Sequence, residues 1–206
     1  MKKLLIFPCN GNGLEALSCI DSSIYEFIGF VDDTKEKQGM NDLGFEVFTR
    51  DAFDRFPDAE VLAVPGSPTS FKIRHDIINE LGLSIDRFAT VIHPNANIAN
   101  YSQIGVNVLI MAGACITFNA LINNHVCILP NTVIHHDSEI GEYTLIGSNV
   151  TVAGNTSIGK NCYIGSGSSI MNNLNIGAEV MVGMGTSVIR DVISGSKVVG
   201  NPARKI

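Results

Sequence analysis

From Ile92 to Val188 every sixth residue is Ile or Val, with no break and no insertion, and Val152, Val182 and Val188 are the only departures from Ile. That period excludes the two ordinary readings of a regular apolar pattern. A helix turns about every 3.6 residues and carries positions six apart off its apolar face within a few turns, whereas a half-buried strand alternates every second residue. A period of six fits a short flat strand followed by a corner, three of which close a triangular coil with the Ile or Val pointing to its axis. The expected architecture is a β-helix solenoid.

The residue four beyond each Ile supports this geometry. Ala96, Ser102, Ala114, Ala120, Thr132, Ser138, Thr144, Thr156, Cys162, Ser168 and Thr186 are small, with Val or Leu174 in the other repeats, as a second inward residue in a narrow prism must be. With the Ile as position one, Gly recurs at position two, and Asn or Gly is frequent at position four, residues that suit tight corners. The sixteen hexapeptides from 92 to 187 wind a little over five coils, about 25 Å tall at a strand spacing of about 4.8 Å.

The residues before the repeats alternate between strand and helix signals. An apolar run from Lys3 to Phe7 is stopped by Pro8, Cys9 and the turn Asn10-Gly11-Asn12-Gly13, after which Leu14, Ala16 and Leu17 begin a helical spacing. Strand, Gly-rich turn and helix open a Rossmann-like unit. Strands are expected at 25–31, 45–48 and 61–64 and helices at 50–56 and 70–81, giving a small parallel sheet with helices around it. The expected organisation is thus an α/β Rossmann-like N-terminal domain over 1–90 and a solenoid over 91–206, with a last strand at Val198-Val199-Gly200.

The turn Asn10–Gly13 sets backbone N–H groups at a helix N-terminus, a place for an anion, though a plain β-α turn needs the same residues. Asp32 and Asp33 end the second strand at the usual ligand crevice of a parallel sheet, where they can accept hydrogen bonds from a ribose or base. Pro8 stands where a dinucleotide fingerprint has its first Gly, so NAD is not expected. A net charge of -6 and a pI of 5.3 argue against nucleic acid or an anionic membrane as partner. The apolar start is too short for a signal or membrane span. Five cysteines without CxxC spacing fit reduced thiols, and the expected location is the cytoplasm. Among the histidines of the solenoid, His125, His135 and His136, the last is followed by Asp137, a pairing that can orient and charge-stabilise a general base.

Several stretches together resemble one family: the Gly-rich turn, Phe30-Val31-Asp32-Asp33, Val91-Ile92-His93-Pro94, His136-Asp137 followed by Ile140-Gly141, Ala153-Gly154-Asn155, and Gly200-Asn201-Pro202-Ala203. In these the chain resembles the left-handed β-helix (hexapeptide-repeat) sugar acyltransferases, the bacterial nucleotide-sugar N-acetyltransferases and the related sialic-acid O-acetyltransferases. The resemblance implies a homotrimer with acetyl-CoA lying between neighbouring solenoids and no metal. It implies acetylation of the amine of a nucleotide-linked amino sugar for surface glycans, with sugar O-acetylation as the alternative. By the same resemblance His136 is the base, Asp137 its supporting acid, and the Gly154 amide the thioester-oxygen donor. Ser166 and Met184 match pantetheine contacts. Asn10, Gly11, Asn12, Gly13, Asp32 and Asp33 match the substrate site.

The chain departs from the family at Asn12 and Leu145, where His is frequent, at Leu129, where Asn is usual, and at His135, often Glu. These changes leave the transfer core in place and the acceptor open. Two other classes compete. A zinc enzyme resembling the γ-carbonic anhydrases would use His125, His135 and His136, but neighbouring side chains on a strand point to opposite sides. A non-catalytic solenoid scaffold is the other.

Overall fold

A computed structural model describes all residues 1–206. Its N-terminal part is a five-stranded sheet. The strands β1 (Lys2–Phe7), β2 (Tyr25–Val31), β3 (Gly39–Met40), β4 (Glu46–Phe48) and β5 (Glu60–Ala63) lie in the order β3-β4-β2-β1-β5. Leu4, Leu5 and Ile6 on the central strand are fully buried, the unbroken apolar run of a strand covered on both faces. The sheet is mixed rather than purely parallel, because β3 pairs antiparallel with β4. That two-residue strand lies just after the charged stretch Lys35-Glu36-Lys37 and is too short to show a period.

The helices are shorter than the sequence suggests: α1 (Gly11–Ala16), α2 (Ala52–Arg55) and α3 (Arg74–Asn79). Phe56 precedes Pro57 and leaves the helical region (φ -123°, ψ 67°), as a residue before proline tends to, which stops α2. The expected helix 70–81 divides into a 3-10 turn, Phe71–Ile73, followed by α3. Gly82, at φ +67°, supplies the left-handed turn after it.

From Val91 onward the chain forms two-residue strands six apart, stacked in three parallel sheets that are the walls of a left-handed β-helix. The first wall holds Val91–Ile92, Leu109–Ile110, Cys127–Ile128, Leu145–Ile146, Tyr163–Ile164 and Met181–Val182. The second contains Cys115–Ile116, Val133–Ile134 and Thr151–Val152, and the third Leu121–Ile122, Glu139–Ile140 and Ser157–Ile158. Pairing is in register, Ile128 against Ile146 and Ile146 against Ile164, so the Ile column runs unbroken through the axis. Ile110, Ile128, Ile134 and Ile146 are fully buried, each contributing about 1.5–3 kcal/mol of apolar burial. Beyond Val182 the first wall is extended by Lys197–Val199 and then Arg204–Lys205, the latter antiparallel.

The inward polar residues at position five are satisfied by neighbouring coils, except for the Thr186 hydroxyl, which has no partner. Thr132 Oγ1 donates to Gly147 O (2.6 Å) and accepts the Val150 N–H (3.2 Å). Ser168 repeats this with Gly183 O and Thr186 N–H, so these hydroxyls sit in the core without an unpaired partner. Position four is left-handed in nearly every repeat. Asn107, Asn119, Asn131, Asn149, Asn155, Asn161 and Asn173 have φ between 52° and 60°, the conformation Asn tolerates best after Gly. Tyr101, His125, Asp137, Tyr143 and Glu179 adopt it as well. No helix is long and apolar enough to cross a membrane.

The N-terminal sheet packs on the first wall, where Leu109, Met111, Cys127 and Leu145 share a core with Leu4, Ile6, Val64 and Phe71. The corner after the third wall carries a column of position-four residues eighteen apart, Asn107, His125 and Tyr143, and it forms the polar part of the seam. The Asn107 amide pairs with both backbone groups of Ala63 on the edge strand β5, accepting at 2.7 Å and donating at 2.9 Å, as a neighbouring strand would. Its Nδ2 also lies 2.9 Å from His125 Nδ1. The His125 ring stacks on Tyr143 at 4.6 Å and meets Phe88 edge-on.

Candidate active site

His136 and Asp137 occupy positions three and four of a repeat on the corner after the second wall. His136 Nδ1 lies 2.8 Å from Asp137 Oδ2. A carboxylate only accepts, so Nδ1 carries the proton and Nε2 is left as a free acceptor. Asp137 Oδ1 takes a second hydrogen bond from Asn119 Nδ2 (2.6 Å). The Asn119 amide first, and His136 after it, hold the Asp137 carboxyl below the usual range.

Gly154 sits one coil above His136 on the same corner. A Cβ at residue 154 would fall 2.6 Å from His136 Nε2, so only glycine leaves the imidazole room to lie there. The Gly154 carbonyl accepts the Asn173 N–H, while its own N–H has no acceptor in the chain. An accepting imidazole nitrogen beside a free amide is the pairing that acyl transfer needs, a base for the nucleophile's proton and a donor for the oxygen that gains charge.

Ser166 and Met184 lie elsewhere, on the corner after the first wall. Ser166 Oγ accepts the Ser148 N–H at 3.1 Å, and Met184 is largely exposed. Within one chain they are separated from His136 and Gly154 by the width of the second wall. Next to Ser166, a cavity of about 360 Å³ opens between the first wall and the N-terminal domain. One side is polar, with Asn10, Gly11, Asn12 and Ser67, and the other is made by Leu129, Leu145 and Tyr163. Three of the four positions that depart from the family pattern, Asn12, Leu129 and Leu145, therefore face a single space. The fourth, His135, is half-buried on the second wall.

The Gly-rich turn opens helix α1, with Asn10 as its N-cap. Gly11 and Asn12 line the cavity, but Gly13 is buried, and a Cβ there would meet Pro8 O at 2.3 Å. The Asn10 side chain caps the Gly13 N–H (2.9 Å) at the start of a helix only six residues long, so one of the first-turn amides is already taken. Asn12 Nδ2 points at Val64 O and Gly66 O, both at 3.4 Å, which leaves Oδ1 as the free acceptor. Asp32 is buried. Burial alone would raise its carboxyl, but Lys37 (2.9 Å) and the Thr34 N–H outweigh it and hold it below the usual range. Asp33 is gripped by Arg50 through two 2.8 Å hydrogen bonds.

His125 belongs to the seam, not to this corner, and no three His, Cys, Asp or Glu side chains come together as ligands for one ion. His125 could have been separated from His136 by arithmetic. Residues eighteen apart share a corner, and 125 and 136 differ by eleven.

This left-handed prism of hexapeptides joined to a small α/β domain is a fold that the chain shares with solved acetyltransferases. Residues 119–154, which include His136, Asp137 and Gly154, match the family model described as bacterial transferase hexapeptide (six repeats). The fold is shared along its whole length with solved structures. The acetyltransferase domain of PglB from Neisseria gonorrhoeae FA1090, in complex with acetyl coenzyme A, is 25% identical with a TM-score of 0.87, over 100% of this chain and 99% of that one. PerB from Caulobacter crescentus, in complex with CoA and GDP-perosamine, is 21% identical with a TM-score of 0.86, over 100% and 97%. WeeI from Acinetobacter baumannii AYE is 23% identical with a TM-score of 0.82, over the whole of both chains. No curated protein sequence matches the chain.

Proposed function

We propose that the protein transfers the acetyl group of acetyl-CoA to the amine of a nucleotide-linked amino sugar used for surface glycans. The observation that carries this reading is the free Gly154 amide beside the accepting Nε2 of His136. As the amine attacks the thioester carbonyl, His136 Nε2 takes its proton and Asp137 holds the imidazolium. The Gly154 N–H stabilises the oxygen of the tetrahedral intermediate. Collapse expels the CoA thiolate, which recovers the proton from His136, leaving an amide and a free thiol. The complexes of the PglB domain with acetyl coenzyme A and of PerB with GDP-perosamine support the two substrate classes.

The acceptor's sugar is assigned to the cavity lined by Asn12, Leu129 and Leu145, and its nucleotide to the crevice at Asp32 and Asp33. The pantetheine is assigned to Ser166 and Met184. Because these residues and His136 lie at opposite edges of the second wall, we assign the site to a homotrimer. There the His136 corner of one copy meets the cavity side of the next. Five free cysteines suit the reducing cytoplasm.

The test is thiol release from acetyl-CoA with UDP-, dTDP- and GDP-linked amino sugars and their hydroxyl counterparts, comparing wild type with His136→Ala. Loss of turnover by at least about 100-fold is expected in the variant, and equal rates would refute the assignment. Light scattering should give three chains per particle, and a monomer at micromolar concentration would overturn the shared site.

A further inference from the structure

The wall of the cavity contributed by the N-terminal domain is a loop, Val64-Pro65-Gly66-Ser67-Pro68, with little backbone support. Two of its five residues are prolines without an N–H. Between the Val64 N–H, bonded to Phe7 O, and Ser67 O, which accepts from Ser70, no backbone group of the loop pairs with another backbone group. Two side chains hold it. Asn12 reaches Val64 O and Gly66 O from the cavity side at 3.4 Å. From behind, Arg74 Nε donates to Pro65 O at 2.7 Å.

Arg74 is fully buried and has no carboxylate partner. Its Nη1 donates to the His125 carbonyl on the solenoid corner, and its Nη2 has no acceptor. Gly66 (φ +125°) is pressed between the two parts of the molecule, since a Cβ there would meet Leu145 Cδ1 at 2.8 Å and Arg74 Cδ at 3.2 Å. Gly66 and Leu145 both line the cavity. A charge kept in the interior without a counter-ion is costly, and apolar replacements of buried ionic groups are often neutral or stabilising. Burial pushes the Arg74 guanidinium down to about 10, which leaves it protonated at neutral pH.

We infer that Arg74 is the positioning residue of the acceptor cavity, spanning from the solenoid corner at His125 O to Pro65 O so that the polar and apolar sides of the cavity keep one spacing. It touches no reacting atom and acts through the loop. The inference rests on the assignment of the cavity to the acceptor sugar.

Steady-state kinetics of purified Arg74→Met and Arg74→Lys, with Asn12→Ala as the cavity control, test it. Met keeps the length without donors. Lys keeps the charge but cannot span both carbonyls, and it covers the case in which Met fails to fold. The expected result is a rise of about tenfold or more in KM for the acceptor in the Arg74 variants, with KM for acetyl-CoA within about twofold of wild type. Asn12→Ala should raise the acceptor KM as well. If Asn12→Ala raises it and folded Arg74 variants do not, Arg74 is merely structural and the inference falls while the cavity assignment stands. If Asn12→Ala leaves it unchanged, the cavity assignment falls and the inference with it.

Discussion

His125 offers a quantitative test of the seam between the two parts of the chain. Its ring is buried, its Nδ1 accepts from the Asn107 amide, and Arg74, His75 and Tyr143 surround it. Burial, then the positive charge of Arg74, then His75 push it from 6.5 down to about 4. The unfolded chain therefore takes up this proton near pH 6.5 and the folded chain only near pH 4. Between those values the unfolded state binds more protons, so stability falls as pH falls. The contribution is complete above about pH 7 and wholly lost below about pH 4. At about 1.4 kcal/mol per pH unit the upper bound is about 3 kcal/mol, or about 2 kcal/mol allowing for partial screening by solvent. That is a large share of the 5–15 kcal/mol typical of a domain.

The assay is urea unfolding at half-unit steps from pH 7.5 to 4, comparing wild type with His125→Asn. Asn is the residue this chain most often places at the left-handed corner, so the variant keeps the backbone and loses the titration. Urea also keeps the chain in solution through its isoelectric point near 5.3. Aspartates with lowered carboxyls, Asp21, Asp32, Asp86 and Asp137, titrate in both proteins and cancel in the difference. The variant should be less stable at pH 7 and should close the gap by about 2 kcal/mol on the way to pH 4. Parallel curves would show that His125 is not the group that titrates.

Gly154→Ala should lower kcat about 10- to 100-fold, because the new methyl displaces the His136 ring, while the melting temperature stays close to wild type; a normal kcat would remove the ring from its assigned place. Asp137→Asn fits the same corner conformation and should cost kcat about 10- to 100-fold with KM for acetyl-CoA unchanged, measured by thiol release. Cys19, Cys127 and Cys162 should resist thiol reagents until the chain is unfolded, since burial pushes Cys127 up to about 12 and Cys162 up to about 11; reaction in the native state would contradict the packing of the solenoid core and of the seam.

The solenoid was readable in the sequence to the residue, because its geometry repeats and each Ile restates the same constraint. Asp137 could be placed on a corner from its distance to Ile134 alone. The N-terminal sheet was harder. Its central strands showed as apolar runs, whereas the antiparallel Gly39–Met40 and the divided helix before Asn79 depend on tertiary contacts that leave no period. The division of the proposed site was written in the numbering: His136 and Gly154 differ by eighteen, Ser166 and Met184 differ by eighteen, and the two pairs are out of phase. The role of His125 was not legible, since nothing local tells which corner the other domain covers.

The column on the third corner has a consequence for how the protein comes apart. A solenoid alone is a chain of nearest-neighbour contacts and can open from either end, coil by coil. Here the N-terminal domain runs alongside it like a splint. It is fastened at Asn107, at His125 and Tyr143, through Phe71 against Tyr163, and by Lys72 to Glu179 at 3.7 Å. These fastenings span four coils, about 19 Å of the axis. Losing any one coil within that span means detaching the splint, so the middle of the prism opens as a unit. Fraying is left to the stretch beyond Met181, the last solenoid residue packed against the shared core.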